Sequence, residues 1–144
     1  MEKDTEKDIL KDSNILSILS IYADPLPTSD MIAESVNTNA VVIRRILGML
    51  KNAELVDMKR GTGGSYLTKN IEAINLLEIY RAVEVVEDGG LFQIHPNPNP
   101  NCPIGANIQS VIEVSLLNAQ EAMENVIRKV TMHEIVSDIN NKIQ

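Results

Sequence analysis

Ile15, Leu16, Ile18, Leu19 and Tyr22 recur at three- and four-residue steps after a charged opening, "MEKDTEKDILKD". That spacing places them on one side of a helix running from Asn14 to about residue 23. Asp24-Pro25-Leu26-Pro27 ends it, because a residue before proline is pushed out of the helical region. Thr28 or Ser29 then caps a short helix to about Val36. Asn37-Thr38-Asn39 reads as a turn with its own cap. A helix over 40–53 follows, with Val42, Ile43, Ile46, Leu47 and Leu50 on one face. In "LVDMKRGTGGSYLT" the helical period stops: a strand over 55–59, a Gly-rich turn over 60–64 and a strand over 65–68 make a hairpin. Asn75 and Glu78 carry the spacing of a capping box and open a helix to about Glu84. Residues 88–103, rich in Gly, Pro and Asn, predict a loop. Beyond it lies the longest periodic segment, with Ile108, Val111, Ile112, Leu116, Ala119, Met123, Val126 and Ile127 on one stripe. About 25 helical residues reach roughly 37 Å, farther than the small body before them can cover. Thr131 and Glu134 repeat the capping pattern, so a short separate helix closes the chain.

Helix, helix, turn, helix, hairpin is the order of a winged helix-turn-helix. The predicted fold is mainly α with a small β-hairpin wing. Its parts are a polar segment 1–13, a head 14–87, a loop 88–103, and residues 104–144 as a long dimerisation helix with a short C-terminal helix. The two helices of the motif need a small residue where they cross, and Ala33 fits. The turn needs a residue tolerant of positive φ, and Asn37 is the next choice after glycine. Ile43 supplies the branched apolar residue facing back. In this geometry the second helix enters the major groove with its N-terminal residues at the base edges. Those residues are Thr38, Asn39, Val41 and Val42, with Arg44 and Arg45 toward the phosphates. The hairpin tip adds Lys59, Arg60, Gly61, Thr62 and Gly63, two cations beside flexible glycines, suited to touching phosphate or the minor groove. The plainer alternative is a packed helical hairpin with a solvated basic face. The adjoining wing favours DNA.

Charge sharpens this picture. The chain of 144 residues carries a net charge of −7, which argues against a protein that coats nucleic acid. The six basic residues of 37–70, against two acids there, nevertheless form a basic segment inside an acidic chain. At physiological salt a Debye length of about 8 Å hides the distant negative charge. Other chemistries fare worse. "RGTGG" is followed by a strand, whereas a phosphate-binding loop needs a helix with a Lys-Ser/Thr pair at its start. His95 and His133 have no Ser or Cys partner at a recognisable spacing. Glu113, Glu121, Glu124 and Glu134 read as a solvated face. No enzyme is expected, and no catalytic or metal site. No apolar run is long enough for a membrane span, and nothing resembles a signal peptide, so the expected location is the cytoplasm.

One cysteine, Cys102, stands in "HPNPNPNCPIG", just before the long helix. Pro103 suits the first helical position, which makes Cys102 the cap. Unpaired N–H groups and the helix dipole there favour a thiolate. Cys102 is therefore a sensor candidate, against the plainer reading of a small residue pinning the loop. A thiol enzyme using Cys102 is a minor third.

"MIAESVNTNAVVIRRILGMLKNAELVDMKRGTGGSYLTKNIEAINLLEIYRAVE", followed by "NPNCPIGANIQ", resembles the Rrf2 family of bacterial transcription regulators, the IscR-, NsrR- and CymR-like proteins. The resemblance covers roughly residues 14–130. It implies a homodimer in which a winged helix-turn-helix head is joined to a long helix that crosses its twin. The dimer interface would be Ile108, Val111, Ile112, Leu116, Ala119, Met123, Val126 and Ile127, with Leu116 and Met123 near its centre. Two departures stand out. Asp8 occupies roughly the place of a basic residue that helps family members grip the DNA backbone. Cluster-bearing members place three cysteines in the loop, where this chain has Cys102 alone and Gly105 nearby. One thiolate, even with His95, falls short of the four ligands of an iron–sulfur cluster, so no cofactor is expected. The expected function is a dimeric repressor binding a double-stranded DNA operator and answering to an oxidant or a small-molecule effector. The alternative is a dimeric protein-interaction module of the same fold with weak or no DNA binding.

Overall fold

The computed structural model describes residues 5–61, 63–84 and 99–143. Thr62, His95 and most of the expected loop over 88–103 lie outside the described residues. Three helices open the chain: α1 (Thr5–Ile21), α2 (Ser29–Val36) and α3 (Ala40–Asn52). The hairpin β1 (Val56–Met58) and β2 (Ser65–Leu67) follows, then a 3-10 turn (Ile71–Ala73) and α4 (Leu76–Glu84). The long α5 (Pro103–Arg128) and the short α6 (Met132–Ile143) complete the order.

The first helix spans Thr5–Ile21, where the sequence predicts a start at Asn14, so residues 5–13 of the polar segment are helical. Lys and Glu are good helix formers, and a nucleus supplied by Ile15, Leu16 and Leu19 in the core lets the helix grow backwards through them. The hairpin pairs Val56 with Leu67, Asp57 with Tyr66 and Met58 with Ser65. Its strands are shorter than the pattern predicts. Single hydrogen bonds, Lys59 N–H to Gly64 O (2.9 Å) and Thr68 N–H to Leu55 O (3.1 Å), extend the ladder at either end.

Core residues come from every helix but one. Ile15, Ile32, Ile43, Ile46, Leu50, Ile74 and Ile79 are fully buried in one aliphatic cluster. The exception is α5, which has no buried residue, while α6 contributes Met132 and Val136 to the same cluster. The chain thus leaves the head along α5 and returns to it. Two hydrogen bonds fix the return, Leu76 N–H to Val130 O (2.9 Å) and Met132 N–H to Ile74 O (2.8 Å), with Asn75 and Thr131 bridged between them. In position α6 belongs with the head, against α1 and the 3-10 turn, although the sequence groups it with the long helix. The physical reason is Met132, an apolar side chain just inside the last cap and without solvent exposure.

At both predicted capping boxes the cap side chain takes up its N–H. Asn75 Oδ1 accepts from Glu78 N–H at 3.0 Å, and Thr131 Oγ1 accepts from Glu134 N–H at 3.2 Å. The reciprocal bond from the glutamate is absent among the described residues: Glu78 Oε1 accepts from Lys69 instead, and Glu78 Oε2 is buried without a partner. Glu54 is less expected: it closes α3 at φ 63, a left-handed conformation that a glutamate adopts only at a cost. Leu55 N–H to Leu50 O (3.0 Å) and Thr68 Oγ1–H to Glu54 O (2.7 Å) hold it there.

Candidate nucleic-acid interface

The helix-turn-helix is built as its residues demand. Thr28 Oγ1 accepts from Met31 N–H (3.3 Å) and starts α2. Asn37 ends it in the left-handed region, at φ 62 and ψ 51, and Thr38 N–H closes the turn on Ala33 O at 2.9 Å. Ala33 is buried at the crossing, and Ile43 faces back into the core. Asn39 caps α3, its Oδ1 accepting from Val42 N–H at 3.0 Å. With Ile43, Ile46, Leu47 and Leu50 turned inward, the opposite face carries Val41, Arg44 and Arg45, all exposed. Thr38 is half-buried, and so is Val42, which packs against the core. Of the four side chains expected at the base edges, Val41 is the outward one on the helix itself.

Gly48 lies two turns beyond Val41 on the same outward line. A Cβ there would meet nothing within 4 Å. A mid-helix glycine costs roughly 1 kcal/mol relative to alanine, and no packing among the described residues requires this one. Sequence periodicity passes over it, although a lone glycine inside a helical pattern is a signal in itself.

Six cations occupy 37–70, and the fold sorts them. Lys51 Nζ lies 3.4 Å from Asp57 Oδ1, and Lys69 Nζ lies 3.0 Å from Glu78 Oε1. Met58 N–H, donating to Asp57 Oδ1 at 2.8 Å, holds that carboxyl below its ordinary range, and Lys51 adds to the effect. Arg44, Arg45, Lys59 and Arg60 are exposed, and no carboxylate of a described residue pairs with them. The free cations are therefore those of α3 and of the hairpin tip. Gly61 and Gly63, on the tip, have φ of 88° and 79°. At its root Gly64 (φ 97°) is pressed against the turn before α2: a Cβ would fall 2.6 Å from Leu26 Cβ. Ser65 N–H donates to Pro27 O at 3.0 Å, so the hairpin is fastened to the loop that launches the helix-turn-helix.

At the start of α5, Cys102 is the N-cap residue and is half-buried. The backbone N–H groups of Gly105, and then Ile104, hold its thiol below the ordinary range. The side chain makes no cap hydrogen bond; the N–H dipoles at the helix start favour the thiolate. The corner is tight. Cys102 N–H donates to Asn99 O at 3.3 Å, and a Cβ on Gly105 would fall 2.7 Å from that same oxygen. Gly105 is thus explained by the fit of the loop against the helix.

Along α5 the apolar stripe divides. Leu116, Met123 and Ile127 are half-buried within the single chain, and α5 packs against α4. Ile108, Val111, Ile112, Ala119 and Val126 are exposed, Val111 at 67% and Val126 at 66%. No helix among the described residues is long and apolar enough to cross a membrane.

A family model described as Rrf2, iron-dependent transcriptional regulator, matches residues 13–138. The chain is 40% identical over 126 residues to YwnA of Bacillus subtilis, named as an HTH-type transcriptional regulator, covering 88% of this chain and 92% of that one. A crystal structure described as a DNA-binding protein is 34% identical, with a TM-score of 0.71 over 89% of this chain and 97% of the other. The global cysteine regulator CymR of B. subtilis shares the fold at a TM-score of 0.61 and 19% identity, over 95% and 96% of the two chains. Among the described residues the iron of the family description meets no matching donor set. The chain holds one cysteine, and among the described residues no three of His, Cys, Asp and Glu converge.

Proposed function

The chain belongs to the Rrf2 family of transcriptional regulators, and we propose that it acts as a dimeric repressor whose Cys102 carries the signal. Its relatives are regulators and not enzymes. The observation that carries the DNA reading is the sorting of cations: Arg44, Arg45, Lys59 and Arg60 are exposed and free of carboxylates among the described residues. Phosphate is what such a set attracts, and phosphate contacts supply most of the affinity of a protein for DNA. Two heads joined through α5 read an inverted repeat with half-sites about one helical turn, ~34 Å, apart. The exposed stripe of Ile108, Val111, Ile112, Ala119 and Val126 supports the dimer, because so long an apolar face favours a twin helix over water.

Cys102 supports a redox input. A peroxide takes its thiolate to the sulfenic acid and is itself reduced to water. A thiol or the twin Cys102 then displaces water to give a disulfide. Either product sits at the root of α5, where a small rotation changes the spacing of the two heads.

Gel shifts across a salt series test the reading. Arg60→Ala is expected to weaken cognate and scrambled DNA about equally and to lower the salt slope by about one unit. Oxidant is expected to weaken operator binding and reductant to restore it, with Cys102→Ser blind to both yet still binding. Unchanged affinity after removal of all four cations would overturn the DNA reading. Equal binding in oxidant and reductant would overturn the thiol input alone.

A further inference from the structure

The outward face of α3 offers the duplex an apolar contact where a polar one is usual. Val41, in the first turn, is 71% exposed. Its neighbours are partly taken up by the fold. Asn39 Oδ1 is engaged by Val42 N–H, Val42 packs on the core, and Thr38 is half-buried. Arg45 stands one turn further along the same face, and Gly48 two turns along, with open space where a side chain would be. The ridge is thus two methyl groups at the leading end, a cation in the middle and a bare backbone behind. Nothing among the described residues covers the valine, and a free-standing branched residue near the start of a helix adds nothing to the fold.

The major groove has one apolar feature at the base edges, the C5-methyl group of thymine. We propose that Val41 is a specificity-determining residue that seats against the methyl group of one thymine in each half-site. Gly48 lets the helix lie close enough for that contact, because no side chain there holds the duplex away. The inference rests on the reading of α3 as the recognition helix.

The test starts from duplexes enriched from a random-sequence library by the full-length protein. Each thymine is then replaced in turn by deoxyuridine, which removes only the methyl group. One position per half-site is expected to lose about fourfold in affinity, the worth of one buried methyl. For Val41→Ala, thymine and uracil at that position are expected to bind alike. The substitution replaces an exposed valine by the best helix former, so the fold is retained, and a melting curve checks this. Indifference to uracil at every position, or an unchanged uracil penalty in Val41→Ala, would overturn the inference while leaving DNA binding intact. A library from which nothing is enriched would overturn the DNA reading, and the inference with it.

Discussion

At Cys102 the fold sets the chemistry of a single atom. The N–H dipoles of Gly105 and Ile104 face a half-buried sulfur and favour its charged form. A thiol whose folded value is lowered binds fewer protons than the same thiol in the unfolded chain, so its contribution to stability is full above the unfolded value. That contribution is lost as pH falls through the folded value. The corresponding kinetic prediction is direct. The rate of alkylation by iodoacetamide is expected to rise with pH through an inflection lower in the native protein than in urea. Coincident inflections would mean that the helix end leaves the thiol unbiased. Cys102, Asn37 and Glu54 differ in how far the sequence announces them. Asn37 advertises its φ, because asparagine is among the few residues at ease there. The cap position of Cys102 is legible in the proline after it. Nothing in a glutamate signals a left-handed residue; Glu54 is placed by its two successors in the chain, Leu55 and Val56, which are buried as they enter the hairpin.

Among the elements, α6 has an importance that its length conceals. Met132 is buried in the head's core, and Met→Ala at such a site costs about 2–5 kcal/mol. Met132→Ala is therefore expected to lower the urea midpoint by a large fraction of the total, with α5 still helical by circular dichroism. A change below about 0.5 kcal/mol, the usual size of a surface substitution, would show that α6 is only laid on the surface. The capping box at Thr131 makes this helix legible in the sequence, but its address is not. A cap pattern is local, whereas the choice between head and dimer is settled by which cavity Met132 fills. The wing is legible for the opposite reason, since turn glycines, alternation and pairing all lie within fourteen residues. The cations are visible in the sequence as a cluster, but not which of them acids claim, because Lys69 meets Glu78 only once the 3-10 turn brings α4 back.

For the whole molecule the decisive surface is the outer side of α5. Val111 is 67% exposed in the single chain, so Val111→Asp disturbs no packing there. In the proposed dimer the same carboxylate would be buried against the twin helix without a partner, at a cost of several kcal/mol. The protein is expected to sediment as a dimer at micromolar concentration and Val111→Asp as a folded monomer. A monomeric unmodified protein would contradict this. The clasp of Ile74 and Leu76 on Met132 and Val130 also bears on how such regulators can be recombined. The head's interior is finished by chain that lies beyond the long helix, so head and helix are nested and not consecutive. A single crossover that grafts one regulator's reading head onto another's handle severs Met132 from its socket. Exchange as a working unit takes two junctions, one on each side of α5, with the closing dozen residues travelling with the head.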